Sequence, residues 1–272
     1  MGIISAMNEG CEAAQPAGQM PGITGNPDEF TGVAGPADQA TRQLHRLMLA
    51  SAVAILIWSG IAPHDRIVWL LEVLPSLIGG AVLLATYRRF RLSNLVYLLI
   101  WCHSAILAIG GQWTYAENPI FDAIQEAFNL SRNYYDRLGH VAQGFVPAMI
   151  ARELLLRTSP LRRGKWLSFI VAGLCLGVSA GYEFFEWWAA VLSAEGEAAV
   201  QFLATQGDKW DTQWDMFLCL CGAIAALLLL SLAHDRSMAG RGMSAASRLA
   251  GFLTALAIVF SAIVACYFLQ AG

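Results

Sequence analysis

The sequence predicts an all-α fold: a polytopic transmembrane helix bundle of about seven spans, or six on a stricter count, with its N-terminus in the cytoplasm. Three observations lead there. Seven apolar segments occupy most of the 272 residues. Only 14% of residues are charged and 57% are apolar, against about 25% charged in an average soluble domain. Lys and Arg gather in alternate loops, the pattern left when basic loops stay in the cytoplasm. The environment implied is a lipid bilayer.

Residues 1–43 are rich in Gly, Pro, Ala, Asn, Asp and Met and show no apolar period. They lack the basic and apolar regions of a signal peptide, so a flexible polar tail is expected there, with 44–272 as the transmembrane helical domain. The apolar segments are Leu47–Ala62, Ile67–Tyr87, Leu95–Tyr115, Leu138–Leu156, Trp166–Leu192, Thr212–Leu232 and Leu249–Leu269. A span needs about 20 residues; the first is short. The fourth is the least apolar and carries His140, Gln143, Arg152 and Glu153. It belongs inside the bundle, away from lipid, and the six-span count omits it. Arg152-Glu153 reads as a snorkelling anchor with its acid as partner.

Basic residues follow segments two (Arg88, Arg89, Arg91), four (Arg157, Arg162, Arg163, Lys165) and six (Arg236, Arg241, Arg248), and Arg42 and Arg46 precede segment one. The other loops hold only Arg66, Arg132, Arg137 and Lys209, and the two long ones are mostly acidic. Trp69, Trp113, Trp166, Trp187, Trp188, Trp210 and Trp214 fall near segment ends, as an interfacial belt requires. Gly79-Gly80 and Gly110-Gly111 offer places for close helix packing. Five of the six cysteines lie in apolar segments and read as small buried hydrophobes.

This topology places a set of polar side chains at one depth, the outer membrane boundary. Segment four enters there with Asp136 and Arg137, and His140 follows one turn on, with Gln143 below it. Segment five ends there with Glu183 and Glu186. Segment six begins there with Asp208, Asp211 and Asp215, beside Gln206. Glu72 lies just over one turn into segment two; His103, mid-way along segment three, is the more remote candidate. Ionisable residues at membrane depth are expensive and point to function. Asp136, His140, Glu183, Asp208, Asp211 and Asp215 could hold a divalent cation: oxygen ligands suit Mg, Ca or Mn, and the imidazole permits Zn. Asp136, His140, Glu183, Glu186, Asp211 and Asp215 could instead do acid–base work, because crowded carboxylates perturb one another. Two bland readings stand beside these. Arg137 and Lys209 could neutralise the acids as structural ion pairs, and Asp136, Asp208 or Asp211 could simply serve helix N-termini.

The strings Tyr135-Asp136-Arg137-Leu138-Gly139-His140-Val141-Ala142-Gln143-Gly144-Phe145 and Thr205-Gln206-Gly207-Asp208-Lys209-Trp210-Asp211-Thr212-Gln213-Trp214-Asp215-Met216 resemble those of the YjdF-like family of bacterial inner-membrane proteins. Arg152-Glu153 and Glu183-Phe-Phe-Glu186-Trp187 fit the same pattern, and the resemblance covers roughly residues 45 to 235. It implies a multi-pass protein of the bacterial inner membrane and no assigned activity. More distantly, Asp136-Arg137 with His140 is similar to the acid-Lys-x-x-His string of VanZ-like proteins, with Arg in place of Lys. That similarity implies the cell envelope.

The resulting expectation is an inner-membrane protein whose outer-face carboxylate–His site binds a divalent cation and acts on, or binds, a lipid or envelope-linked substrate. A cation- or proton-handling transporter is one alternative. A non-enzymatic subunit of a membrane assembly is another, docking through its tail and the acidic loop from Pro119 to Asn133. No basic patch with interleaved aromatics suggests nucleic acid. There is no nucleophile elbow, HExxH pair, Walker A loop or dinucleotide fingerprint.

Overall fold

A computed structural model describes residues 36–193 and 205–239. Seven α-helices are present there, joined by turns, and no strand: α1 Pro36–Ile61, α2 Arg66–Thr86, α3 Asn94–Gln112, α4 Pro119–Phe128, α5 Tyr135–Thr158, α6 Lys165–Ser193 and α7 Asp211–Met238. A short 3-10 turn, Thr205–Gly207, precedes α7. The described residues from Ala40 onward form one compact unit. The predicted seventh segment, Leu249–Leu269, and residues 1–35 lie outside the described residues.

Among the described residues, five helices are long and apolar enough to cross a membrane: α1, α2, α3, α6 and α7. Their outward faces are hydrophobic, with Leu228 79%, Leu232 74%, Ile67 73% and Phe169 71% exposed. Water would penalise such a surface, and lipid would not. Trp166, Trp187, Trp188 and Trp210 are also exposed near helix ends.

Helix α5 is different. It has 24 residues, long enough for a span at about 36 Å, but it is not apolar enough to be counted as one. It is instead enclosed, with Asp136, Arg137, Val141, Ala148, Met149, Arg152 and Glu153 among its buried residues. It packs along α7; α6 packs on both, α3 on α5, and α2 on α3. The polar fourth segment therefore lies inside the bundle, as its composition demands.

Close approach of α5 and α7 comes from two glycines. A Cβ on Gly144 would run into the carbonyl oxygen of Cys219, and one on Gly222 into that of Val141. Small residues of α7, Cys219, Ala223 and Ala226, line the same seam and are fully buried. Among the described residues the expectation for Gly79-Gly80 is not met: nothing lies within 4 Å of a Cβ at either position. Gly110 and Gly111 do receive neighbours, Tyr115 and the Trp69–Glu72 turn.

The core is an apolar layer built from Val96, Phe145, Met149, Leu167, Val171, Cys175, Ala223 and Leu230, among others. On α6 the inward residues recur every four positions: Leu167, Val171, Cys175, Ser179 and Glu183 are all buried. Glu183 thus ends an inward-facing stripe. On α7 the inward stripe runs from Asp211 and Asp215 through Leu218, Gly222 and Ala226 to His234.

Below that layer lies a buried polar clamp. Glu153 accepts the Ser93 backbone N–H (2.9 Å), Arg157 Nη1 (2.7 Å) and His234 Nε2 (3.1 Å). Arg152 Nη1 donates to His234 Nδ1 and to Asp235 Oδ1, both at 2.8 Å. Because the guanidinium can only donate, His234 carries its proton on Nε2 and donates that N–H to Glu153. Arg152 and Glu153 are 4% and 1% exposed, so they are not a snorkelling pair. Adjacent helical residues point in different directions, and the two charges are bridged by His234, whose Nδ1 meets Arg152 and whose Nε2 meets Glu153.

Candidate functional site

The other end of the bundle gathers the acids. Here the chain before α5 and the turn before α7 are tied to each other through one residue pair. The Asn133 backbone N–H donates to Gln206 Oε1 at 3.0 Å, and Gln206 Nε2 donates back to the Asn133 carbonyl at 2.8 Å. Gln206 reaches this position in a left-handed conformation (φ 58°), followed by Gly207 at φ 79°. Asn133 is itself held by Asp122 (2.7 Å) and the Asn118 carbonyl (3.0 Å). It accepts the Tyr135 N–H at 3.0 Å. Asn118 also caps α4, with Pro119 at its first position. The stretch from Pro119 to Asn133 is thus an exposed helix followed by a buried anchor at Arg132 and Asn133, where the sequence suggests a loop.

Arg137, fully buried, is the hub. Its Nη2 lies 2.7 Å from Asp211 Oδ1 and 2.9 Å from Asp208 Oδ2. Its Nη1 pairs with Asp215 Oδ1 and lies 3.4 Å from Asp136 Oδ2. Arg132 adds a second guanidinium, 3.2 Å from Asp208, 3.5 Å from Asp211 and 3.9 Å from Asp136. Asp208 has a second duty: its Oδ1 accepts the Trp210 N–H at 2.9 Å, the helix-start role weighed for it above. Lys209 stacks its ammonium over the Trp210 ring, 5.4 Å from the centroid. The ion-pair reading of the acids is therefore correct in kind, with Arg132 in the place given to Lys209.

It does not absorb the whole cluster. Two guanidiniums, Arg132 and Arg137, face four carboxylates, and His140 joins them. Its Nε2 lies 3.3 Å from Asp136 Oδ1 and 3.4 Å from Asp215 Oδ1. Its Nδ1 lies 3.0 Å from Gln143 Oε1. An amide oxygen only accepts, so Nδ1 carries a proton. Nε2 then presents either a lone pair or a second proton to the two carboxylates. Asp136, His140 and Asp215 each offer one ligand atom, and these atoms all lie within 4.8 Å of one another.

Glu183 and Glu186 border this centre from α6. Both act electrostatically on His140 and Asp136, and neither pairs with Lys or Arg among the described residues. Glu183 is 7% exposed and its Oε1 has no hydrogen-bond partner; Thr212 lies beside its carboxylate. Glu72 of α2 faces the same centre. His103 lies elsewhere on α3, its Nε2 buried without a partner. So Asp136, His140, Asp208, Asp211 and Asp215 join in one contact network, with Glu183 and Glu186 at its edge. Sequence reasoning missed Arg132 and the Asn133–Gln206 tie. The signal for Arg132 was its position four residues before Asp136, on the face where α5 would continue.

The family model for a predicted membrane protein family, DUF2238, matches residues 44–236, which include every residue of this site. The inner membrane protein YjdF of Escherichia coli (strain K12) is 47% identical over 207 residues, covering 75% of this chain and 98% of that protein. No solved structure matches. With a family match over more than half its length, a relative this similar and five membrane-length apolar helices, the chain belongs to the DUF2238 family and is an inner-membrane protein.

Proposed function

We propose that Asp136, His140 and Asp215 bind a divalent cation at one face of the membrane, and that the protein uses it to hold a lipid or envelope-linked substrate. One observation carries this reading: three ligand atoms of suitable chemistry converge within 4.8 Å, in a cluster where two guanidiniums meet four carboxylates. Gln143 supports the reading by holding the imidazole from its other nitrogen, the usual outer-shell arrangement of a ligating histidine. Asp208 and Asp211, turned towards the two arginines, would steady the site rather than ligate. Glu183, with a buried unpartnered oxygen, is the natural further ligand or proton acceptor. Oxygen-rich sites of this kind favour Mg or Mn, and one imidazole admits Zn.

The location supports a one-sided site rather than a conduit. The apolar layer around Phe145, Met149 and Ala223 separates this centre from the Glu153–His234 clamp. A travelling ion or proton would have to cross it. The Lys/Arg loop bias favours the outer leaflet for this centre.

The test is metal content of the purified protein by mass spectrometry, with His140→Ala and Asp215→Asn beside the native chain. The expected result is a stoichiometric divalent metal, lost in both variants. Absence of metal from a native chain purified without chelators and offered Mg, Mn and Zn would sink the reading.

A further inference from the structure

An apolar groove lies between α6 and α7 near the clamp end of the bundle. It has a volume of about 260 Å³ and is lined by Ser168, Phe169, Ala172, Ile224, Leu227 and Leu228. The two helices are tied together at that end by an ion pair. Arg163 Nε, just before α6, lies 2.9 Å from Asp235 Oδ2 in the last turn of α7. The groove thus starts in the first turn of α6 and about three turns before the end of α7.

The α6 wall continues beyond the groove as bare backbone. Phe169, Gly173, Gly177 and Gly181 recur every four residues and so share one side of the helix. Among the described residues nothing lies within 4 Å of a Cβ built on any of the three glycines. Other outward positions of α6 are large: Leu174, Val178, Phe184 and Phe185 are exposed. Glycine costs more than any of these inside a helix, and lipid chains gain nothing from it. In a membrane, small residues let a second helix backbone come close. The α7 wall offers the large side chains of such a seat, with Phe217, Ile224, Leu228 and Leu232 in one exposed stripe.

The chain itself supplies an occupant. The apolar segment Leu249–Leu269 lies outside the described residues and beyond the family match, which ends at residue 236. Residues 239–248 join it to α7, and a link of that length reaches about 33 Å. Leu228 lies only about 15 Å back from the end of α7. The segment therefore starts at the near end of the groove and, as a span, runs parallel to α6. Gly251, Ala255, Ala262 and Cys266 share one side of a helix, a small-residue side to meet the glycines of α6. A second copy of the chain would compete by diffusion, whereas a segment on so short a link is present at about millimolar effective concentration.

We propose that Leu249–Leu269 docks in the α6–α7 groove as a transmembrane helix parallel to α6, with Gly251, Ala255 and Ala262 against Gly173, Gly177 and Gly181. The segment is then an intramolecular partner of the bundle. It braces α6 from behind, because the glycines stand two residues, about 200°, from the inward stripe that ends in Glu183. The proposal does not depend on the cation reading.

The experiment is photo-cross-linking of the full chain in native membranes, with Leu228→p-benzoylphenylalanine as the probe. The same probe in place of Leu84, exposed on α2, is the control. Gels separate monomer from dimer, and mass spectrometry identifies what the probe has joined. The expected product from position 228 is an internal cross-link at monomer mass to the tryptic peptide that follows Arg248, absent from position 84. Gly177→Leu fills the seat from a position in open space among the described residues, and should cut the yield of that product several-fold. Cross-linked dimers would overturn the proposal in favour of a second copy. Lipid adducts alone, as at position 84, would overturn it in favour of a lipid-filled groove. An internal cross-link at full yield in Gly177→Leu also overturns it, because the segment would then reach Leu228 without using the glycines of α6.

Discussion

Arg137, in the first turn of α5, pairs with Asp215, in the second turn of α7, and the same guanidinium reaches Asp136, Asp208 and Asp211. One buried cation therefore holds four carboxylates from three stretches of chain. Removing one partner of a buried ion pair typically costs about 3–5 kcal/mol, because the other charge is left uncompensated. Arg137→Met should lower stability by about that amount, read as a fall in thermal unfolding midpoint in detergent. Arg137→Lys should recover only part of it. An ammonium keeps the charge but cannot present a planar fork to Asp211 and Asp215 together. Full stability in Arg137→Met would mean that the acids are held by something else.

The α5–α7 seam gives a second prediction, with an internal control. Gly144 faces the Cys219 carbonyl, whereas a Cβ on Gly79 would meet nothing within 4 Å. Both are helical glycines. Gly144→Ala should force the two helices apart and cost about 1–3 kcal/mol, the usual penalty of overpacking. Gly79→Ala should be neutral or stabilising by up to about 1 kcal/mol, because alanine loses less backbone entropy in a helix. Equal unfolding midpoints for the two variants would contradict the seam.

That contrast also marks where the sequence is legible. Helix positions, the enclosed fourth segment and the convergence of Asp136, His140, Asp211 and Asp215 all follow from segment ends and helical spacing, which are local properties. Glu183 was readable for the same reason, since its stripe recurs every four residues. Partnership is not local. Gly79-Gly80 and Gly144 look alike in the chain, and only the neighbouring helix tells them apart. Arg152-Glu153 looks like a pair because the charges are adjacent, yet helical geometry turns them to opposite ring nitrogens of His234 on another helix. Arg132 looks like a loop cation until the Asn133–Gln206 tie folds that loop over the acids. Tyr115 looks like the end of an apolar segment, because the left-handed turn that carries it (φ 57°) leaves no signature when no glycine occupies it.

The third prediction concerns the independence of the two polar ends. His140 sits in the acid cluster, while Arg152 donates to His234 and Asp235 across the apolar layer. Distant sites that share no partners add their effects within about 0.5 kcal/mol. Arg152→Met should destabilise the fold by about 3–5 kcal/mol, since it strips a buried acceptor and Asp235 of their donor. It should leave the metal content of the purified protein unchanged. Combined with His140→Ala, the two stability changes should sum. A coupling well beyond 0.5 kcal/mol, or loss of metal in Arg152→Met alone, would show that the ends communicate through the core. The apolar layer would then be a conformational link between two sites rather than a barrier, and a transport reading would gain the observation it lacks.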